Sequence, residues 1–229
     1  MKRFWKEAHA EGGTVLLDGR PVRTPRRNAL AVPTEPLAAA IVEEWTAVGE
    51  ELDPRTLPLT GLANAAIDIV ATDRDGFADQ LARYGETDLI AYRAETPAPL
   101  IRRQADEWDP LIAWARARYD VHVETVAGIM HRPQPDATVE RLREATRARS
   151  DFELAGLSPI VTIGGSLIAG LALVEGAFNA ERLWSAVQLD ELWQEELWGA
   201  DDLALQARAV RRRDWDAAVR FLHLLQDQI

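Results

Sequence analysis

The run IVTIGGSLIAGLALV, Ile160 to Val174, sets fifteen uncharged residues in a row and is closed by Glu175. A bilayer span needs about 20 such residues, so this segment is too short to cross a membrane as a helix. It is too apolar to lie on a surface, and a buried central helix over 159–175 is expected. Its three glycines and one serine suit the face of a closely packed helix. Gly164-Gly165-Ser166 also invites comparison with a phosphate-cradling loop. It lacks the lysine of a P-loop and the spacing of a dinucleotide fingerprint.

The rest of the chain must enclose that helix. TVLLDGRPVRTP puts Asp18-Gly19 between two short apolar segments, a strong hairpin signal that would set Val15 opposite Val22. Pro21 and Pro25 place the returning strand at an edge. Asn28–Val32 reads as a third strand. Thr34 is the expected N-cap of a helix with Pro36 in its first turn. Leu37, Ile41, Trp45 and Val48 form its apolar face, which makes Trp45 a structural anchor, and Gly49 ends it. ELDPRTLPLT reads as a loop, and Thr60 as the cap of the next helix. Further helices are expected at about 74–84, 97–119, 137–149, 151–157, 159–175, 180–198 and 202–227. Asp109-Pro110 should interrupt the second of these, and Asp214 could break the last. Val121–Val126 alternates like a strand and could join the front sheet.

These elements give an α+β chain, a small β-rich N-terminal domain packed on a larger, mainly helical C-terminal domain. The expected boundary separates residues 1–58 from 59–229, with 121–126 available to the first.

Charge and composition remove whole classes of function. The net charge of −11 disfavours nucleic acid, whose phosphates demand an excess of Lys and Arg. The Arg211–Arg213 run reads as a solvated helix face. Without cysteine there is no disulfide, thiolate nucleophile or Cys-ligated zinc. The opening MKRFWKEAHAEGG has no apolar core of a secretory signal, and its Glu7 and Glu11 argue against a mitochondrial transit peptide. A cytoplasmic location and no membrane insertion are expected. His9, His122, His131 and His223 have no histidine three or four residues away, and neither H-E-x-x-H nor G-x-S-x-G occurs. His122 is expected to be exposed or salt-bridged. No metal site, no cofactor and no catalytic residue are expected.

One stretch resists this bland reading. LDELWQEELWG, Leu189–Gly199, holds four carboxylates and two tryptophans in eleven residues. Glu191 and Glu195 share a helical face, so a carboxylate-dependent, metal-binding hydrolase is the alternative to any non-enzymatic role. Leu189, Trp193 and Leu197 form a stripe that makes Trp193 an inner anchor. Trp198 falls on the other side, and Gly199 is placed to stop the helix. Glu195 and Glu196 oppose the helix dipole at its C-terminal end. Either arginines such as Arg208 or Arg211 neutralise them within the fold, or they await a basic partner.

The ordered motifs RFWKEA, LLDGRPVRTP, EEW, LPLTGLANAAID, YGETDLIAYRA, QADEWDPLIAW, GSLIAGLALVEG and LDELWQEELWG together resemble the ATP12 family of F1-ATPase assembly chaperones. The resemblance runs over nearly the whole chain. It implies a non-enzymatic protein, expected as a monomer, that binds the free α subunit of F1, prevents its aggregation and releases it to β. It implies a small β-containing N-terminal domain and a helical C-terminal domain. The absence of a targeting extension points to a bacterial member, where eukaryotic relatives would work in the mitochondrial matrix. On this basis Glu191 is the first choice for a client contact, with Asp190, Gln194, Glu195 and Trp198 around it.

Overall fold

The computed structural model describes residues 2–128, 130 and 132–226. The chain is α+β and forms two compact units. One comprises Met1–Arg74, Ser150–Gly156 and Asp216–Ile229, the other Asp75–Arg149 and Leu157–Trp215.

In the first unit, strands β1 (Ala8–Glu11), β2 (Thr14–Leu17) and β3 (Arg20–Pro21) form an antiparallel sheet in that order. Asp18 and Gly19 both adopt positive φ, 47° and 75°, the geometry a two-residue hairpin needs. Val22 N–H donates to Val15 O, 2.9 Å, so these two residues do face each other. The third strand is not Asn28–Val32. That segment makes only isolated bridges, Arg23 with Ala29 and Thr14 with Ala31, while Ala8–Glu11 takes the sheet position. AHAE carries no β-branched residue and no Phe, Tyr or Trp, and its pairing rests on backbone hydrogen bonds set by the Gly12-Gly13 turn.

Helix α1 (Glu35–Ala47) starts as expected, with Thr34 Oγ1 accepting from Leu37 N–H, and Val48 rather than Gly49 caps its end. Trp45 is 8% exposed; its Nε1 donates to Thr60 Oγ1 and its ring meets Trp5 edge-on. Helix α2 (Pro58–Asp68) begins before Thr60, with Leu57 at its N-cap, so Pro58, Leu59 and Thr60 belong to the helix and not to a loop. Its cap comes from outside. The Glu44 carboxylate of α1 accepts from Leu59 N–H (2.7 Å) and Thr60 N–H (2.9 Å), two amides the helix itself leaves unpaired. Burial pushes the Glu44 carboxyl up, and these amide bonds oppose it. Residue 58 therefore lies inside the first unit, because α1 and α2 share this cap and the Trp45–Thr60 bond. Asp68 closes α2 by accepting from Thr24, Asn28 and the Arg26 amide, which fixes the 24–28 loop.

The second unit opens with α3 (Arg74–Ala82) and a parallel pair of two-residue strands, β4 (Tyr92–Arg93) and β5 (Val126–Ala127). Only the end of 121–126 is strand, and it pairs with β4 rather than the N-terminal sheet. Residues before it bond to side chains instead. Gln134 bonds both ways with the Glu124 backbone, and Thr138 does the same with His122. His122 is exposed, as are His9 and His223; His131 lies outside the described residues.

Helix α4 (Ala98–Tyr119) runs unbroken through Pro110. An interior proline costs about 3 kcal/mol, so the buried face of Gln104, Trp108, Leu111, Ile112 and Ala115 must outweigh it. Helix α5 (Asp136–Arg147) follows.

The apolar run divides where a single helix was expected. Helix α6 (Asp151–Gly164) passes through Pro159 and stops at Gly165, φ 64°, before α7 (Leu167–Val174). Ser166 Oγ accepts from Ala169 N–H, and the buried Asp88 carboxylate accepts from Ile168 N–H at 3.0 Å. These caps make a second helix start stable inside an apolar environment. All eight residues of α7 are buried, as a helix apolar on every side must be. A Cβ at Gly170 would lie 2.8 Å from both Leu157 Cδ1 and Val161 Cγ2, so the glycine permits close helix contact. No helix among the described residues is long and apolar enough to cross a membrane.

Helices α8 (Ala180–Val187) and α9 (Leu189–Trp198) replace the single helix expected over 180–198, with the buried Gln188 between them. Helix α10 (Asp202–Leu225) continues through Asp214 because Trp215, Ala218, Val219 and Leu222 anchor it on one buried stripe. The expected end at residue 227 lies outside the described residues.

Candidate functional site

The acidic stretch becomes α9, a helix with a single buried residue, Leu189. Gly199 stops it at φ 85°, a backbone conformation that favours glycine, and donates its N–H to Glu195 O. The chain then turns into α10. Residues 196–207 are all exposed, so the end of α9 and the start of α10 form a projecting helical hairpin.

Charges hold its base. Arg208, whose side chain is only 15% exposed, sits 2.5 Å from Glu195 and 3.6 Å from Glu191. Arg211 reaches Glu191 at 2.6 Å. From α4, Arg103 pairs with Glu196 at 2.8 Å, and Gln104 donates to Asp190 at 2.8 Å. Three of the four carboxylates are thus neutralised by arginines within the fold, and the fourth accepts from an amide. This explains how α9 tolerates acids at its C-terminal end against its own dipole. It also counts against the hydrolase alternative. Glu191 and Glu195 already have cationic partners, and among the described residues no three His, Asp or Glu side chains converge as a ligand set.

Trp193 is half-buried, not core. It borders a groove of about 470 Å³ with Tyr92, Leu100, Gln104 and Asp190. The stripe Leu189–Trp193–Leu197 is covered only at its N-terminal end, and Leu197 is 55% exposed. On the other side, Glu191, Gln194, Glu195 and Trp198 line a second groove of about 350 Å³ together with Arg208 and Arg211. Gln194 borders both grooves.

Above the charged base the surface turns apolar. Trp198 is 79% exposed and Leu203 74%, with Leu197, Leu205 and Val210 beside them in sequence. Leu203, Leu205 and Val210 escaped the sequence reading. Their signal was present, since all three fall off the stripe set by Trp215, Ala218, Val219 and Leu222. A helix that buries one stripe and shows leucine and valine elsewhere has surface for a partner.

The structure brings together Asp190, Glu191, Gln194, Glu195 and Trp198 on one short helix. Trp45 lies in the first unit and belongs to its core.

Comparison with known proteins agrees with this arrangement. The profile of the family described as "ATP12 chaperone protein" matches residues 2–116, half of the chain. The solved structure of Atp12 from Paracoccus denitrificans superimposes with a TM-score of 0.93 at 42% identity, covering 98% of each chain. A point mutant of that protein gives 0.93 at 41% over the same share of both chains. The mitochondrial protein atp12 of Schizosaccharomyces pombe is 29% identical over 216 residues, 87% of this chain and 74% of that one. With a profile covering half its length and a solved relative matching it end to end, the chain belongs to the ATP12 family of chaperones.

Proposed function

We propose that this chaperone serves ATP synthase assembly by holding the free α subunit of F1, preventing its aggregation and releasing it to a β subunit. It would act as a monomer in the bacterial cytoplasm, without cofactor or catalysis. The observation that carries the reading is the α9–α10 hairpin, with Leu197, Trp198, Leu203 and Leu205 exposed above a base of paired charges. An unassembled subunit exposes an interface that is apolar at its centre, and tryptophan is a favoured anchor for such a surface. Glu191, Gln194 and Glu195, which line one groove with Trp198, would supply polar contacts at the rim of the hairpin tip, and Asp190 would do so from the groove on the other side. Reversible release fits a small apolar tip better than a wide one.

The test is a pull-down of separated F1 α and β subunits with the purified chain, paired with the solubility of α co-expressed with or without it. Capture and solubilisation of α alone is the expected result. Equal capture of β, or α that aggregates regardless, would overturn the proposal.

A further inference from the structure

We infer that the outer edge of β1 and the groove beside it form a second docking site, which takes an extended, basic segment of a partner protein as an added strand. β1 is the outer strand of its sheet. Asp18 N–H donates to Glu7 O, and the register pairs Ala8 with Leu17, His9 with Leu16, Ala10 with Val15 and Glu11 with Thr14. Hydrogen-bonded pairs alternate along an antiparallel ladder, so Glu7, His9 and Glu11 bond to β2. The N–H and C=O of Ala8 and Ala10 therefore point away from it. Val15, opposite Ala10, shows the same phase, since its N–H donates to Leu30 O and its C=O accepts from Val22 N–H. Among the described residues no loop or turn hydrogen bond reaches the outward groups of Ala8 or Ala10.

Natural sheet edges are blunted by short length, by charges such as lysine, by proline or by a bulge. β1 is short and ends on Glu11, but AHAE has no lysine or proline and its register is continuous. The edge opens on a groove of about 540 Å³ floored by small side chains, Ala8 and Ala10 on one wall and Ala38, Ala39 and Val42 on the other. The side chains of Ala8 and Ala10 are too small to screen their own backbone groups, which suits strand addition.

Charge selects the occupant. Glu35 and Glu43 border the groove, and no lysine or arginine does. Glu43 pairs with Arg220 at 3.0 Å, and both side chains remain more than half exposed. A second copy of this chain would bring the same acids face to face, so self-pairing is disfavoured. A strand alternating apolar and basic residues is favoured, because main-chain bonds hold it and its cations meet Glu35 and Glu43.

The site does not rest on the α9–α10 reading. The probe is a blocked octapeptide of alternating valine and lysine, titrated into the full chain and followed by amide shifts and fluorescence anisotropy, with a valine–glutamate peptide as control. The Ala8 and Ala10 amides should shift, and the glutamate peptide should not bind. Ala10→Pro removes an outward N–H and leaves the β2 ladder to His9 and Glu11, so binding should weaken by about tenfold or more at unchanged melting temperature. Should that variant disturb the strand, the double variant Glu35→Gln/Glu43→Gln leaves the backbone intact and should weaken binding by a similar factor of about ten. Trp198→Ala should not change peptide binding, which separates this site from the hairpin. Silent Ala8 and Ala10 amides at millimolar peptide, equal binding of the glutamate peptide, or dimerisation through β1 in place of peptide binding would each overturn the inference.

Discussion

Helices α7 and α9 both carry leucine, yet all eight residues of α7 are buried and only Leu189 of α9 is. The difference lies around the helix circumference. α7 has no charged side chain on any face, so burial is its only stable setting. α9 interrupts its apolar stripe with four carboxylates, which are solvated or ion-paired at lower cost than they could be buried. The two helices also manage charge differently. The N-terminus of α7 is capped by a fully buried carboxylate, Asp88, whereas α9 is pinned by exposed or half-exposed pairs with Arg103, Arg208 and Arg211. One site is shielded from solvent and tied to pH. The other is open to salt and to partners.

The tryptophans sharpen the contrast most strongly. Trp45, 8% exposed, and Trp198, 79% exposed, are the same residue in opposite settings. Trp45→Arg would bury a charge between Trp5 and Thr60, where the Glu44 carboxylate is already engaged by Thr60. The cost should be several kcal/mol, enough to unfold a domain of ordinary stability. Far-ultraviolet circular dichroism against temperature reads it, and an unchanged melting curve would refute the placement of Trp45.

Within α7, Leu171→Ala should destabilise by about 2–5 kcal/mol, the range for removing a fully buried leucine from a core that relaxes only in part. In α9, Leu197→Ala should fall within about 0.5 kcal/mol. Urea unfolding midpoints of the two variants compare them directly. Similar losses would erase the distinction between the helices.

Asp88 makes the buried side depend on pH. Burial raises its carboxyl to about 6, against hydrogen bonds from Ile168, Ser166 and Ile90 that favour the ionised form. A pKa raised on folding means the group contributes stability that is fully present below the unfolded value, near 3.8, and is lost as pH rises through about 6. The change is on the order of 3 kcal/mol across that window. Asp88→Asn should flatten this part of the melting-temperature profile relative to the wild type. Parallel profiles between pH 4 and 6 would show that Asp88 does not titrate there.

Much of this arrangement was legible in the residues. Thr34 as a cap, Asp18-Gly19 as a turn and Gly199 as a helix stop are local signals that the tertiary fold had no reason to overrule. The elements that hid did so for physical reasons. Pro110 and Pro159 read as breaks, but packing of the surrounding helix outweighed one missing hydrogen bond at each. Gly165-Ser166 read as part of a smooth helical face. The break there needs Asp88, eighty residues away from Ile168, and no local pattern announces so distant a cap. β1 has no strand-forming side chains and pairs through its backbone. At the candidate site, Arg208 and Arg211 were legible as neutralising partners, whereas the exposure of Trp193 was not. A helical stripe gives a direction but not how far the neighbouring surface extends along it.

The charged base of the hairpin should respond to salt. Arg208→Ala removes the partner of Glu195 and the longer contact of Glu191. Because Glu191 and Glu195 stay partly exposed, the loss should be about 1 kcal/mol or less and should shrink as ionic strength rises. A double-mutant cycle with Glu195→Gln measures the coupling. The same network changes what Glu191→Lys would report. A lysine there faces Arg208 and Arg211, so the variant would disturb the hairpin as well as any client contact, and a loss of function would not by itself assign Glu191 to the interface.

Trp198→Ala avoids that ambiguity and carries the smallest expected effect on the fold. The ring is 79% exposed and belongs to no aromatic pair or cation–π contact among the described residues. Its removal should change stability by less than about 0.5 kcal/mol, since nothing packed is lost. If the hairpin tip holds the client, the same substitution should weaken capture of the α subunit by about 2 kcal/mol or more, the scale of a tryptophan anchor at an interface centre. Melting temperature and α-subunit capture, measured on one preparation, therefore have to separate. A variant that melts normally and still protects α would move the client surface away from Trp198 and leave the groove beside Trp193 as the next place to cut.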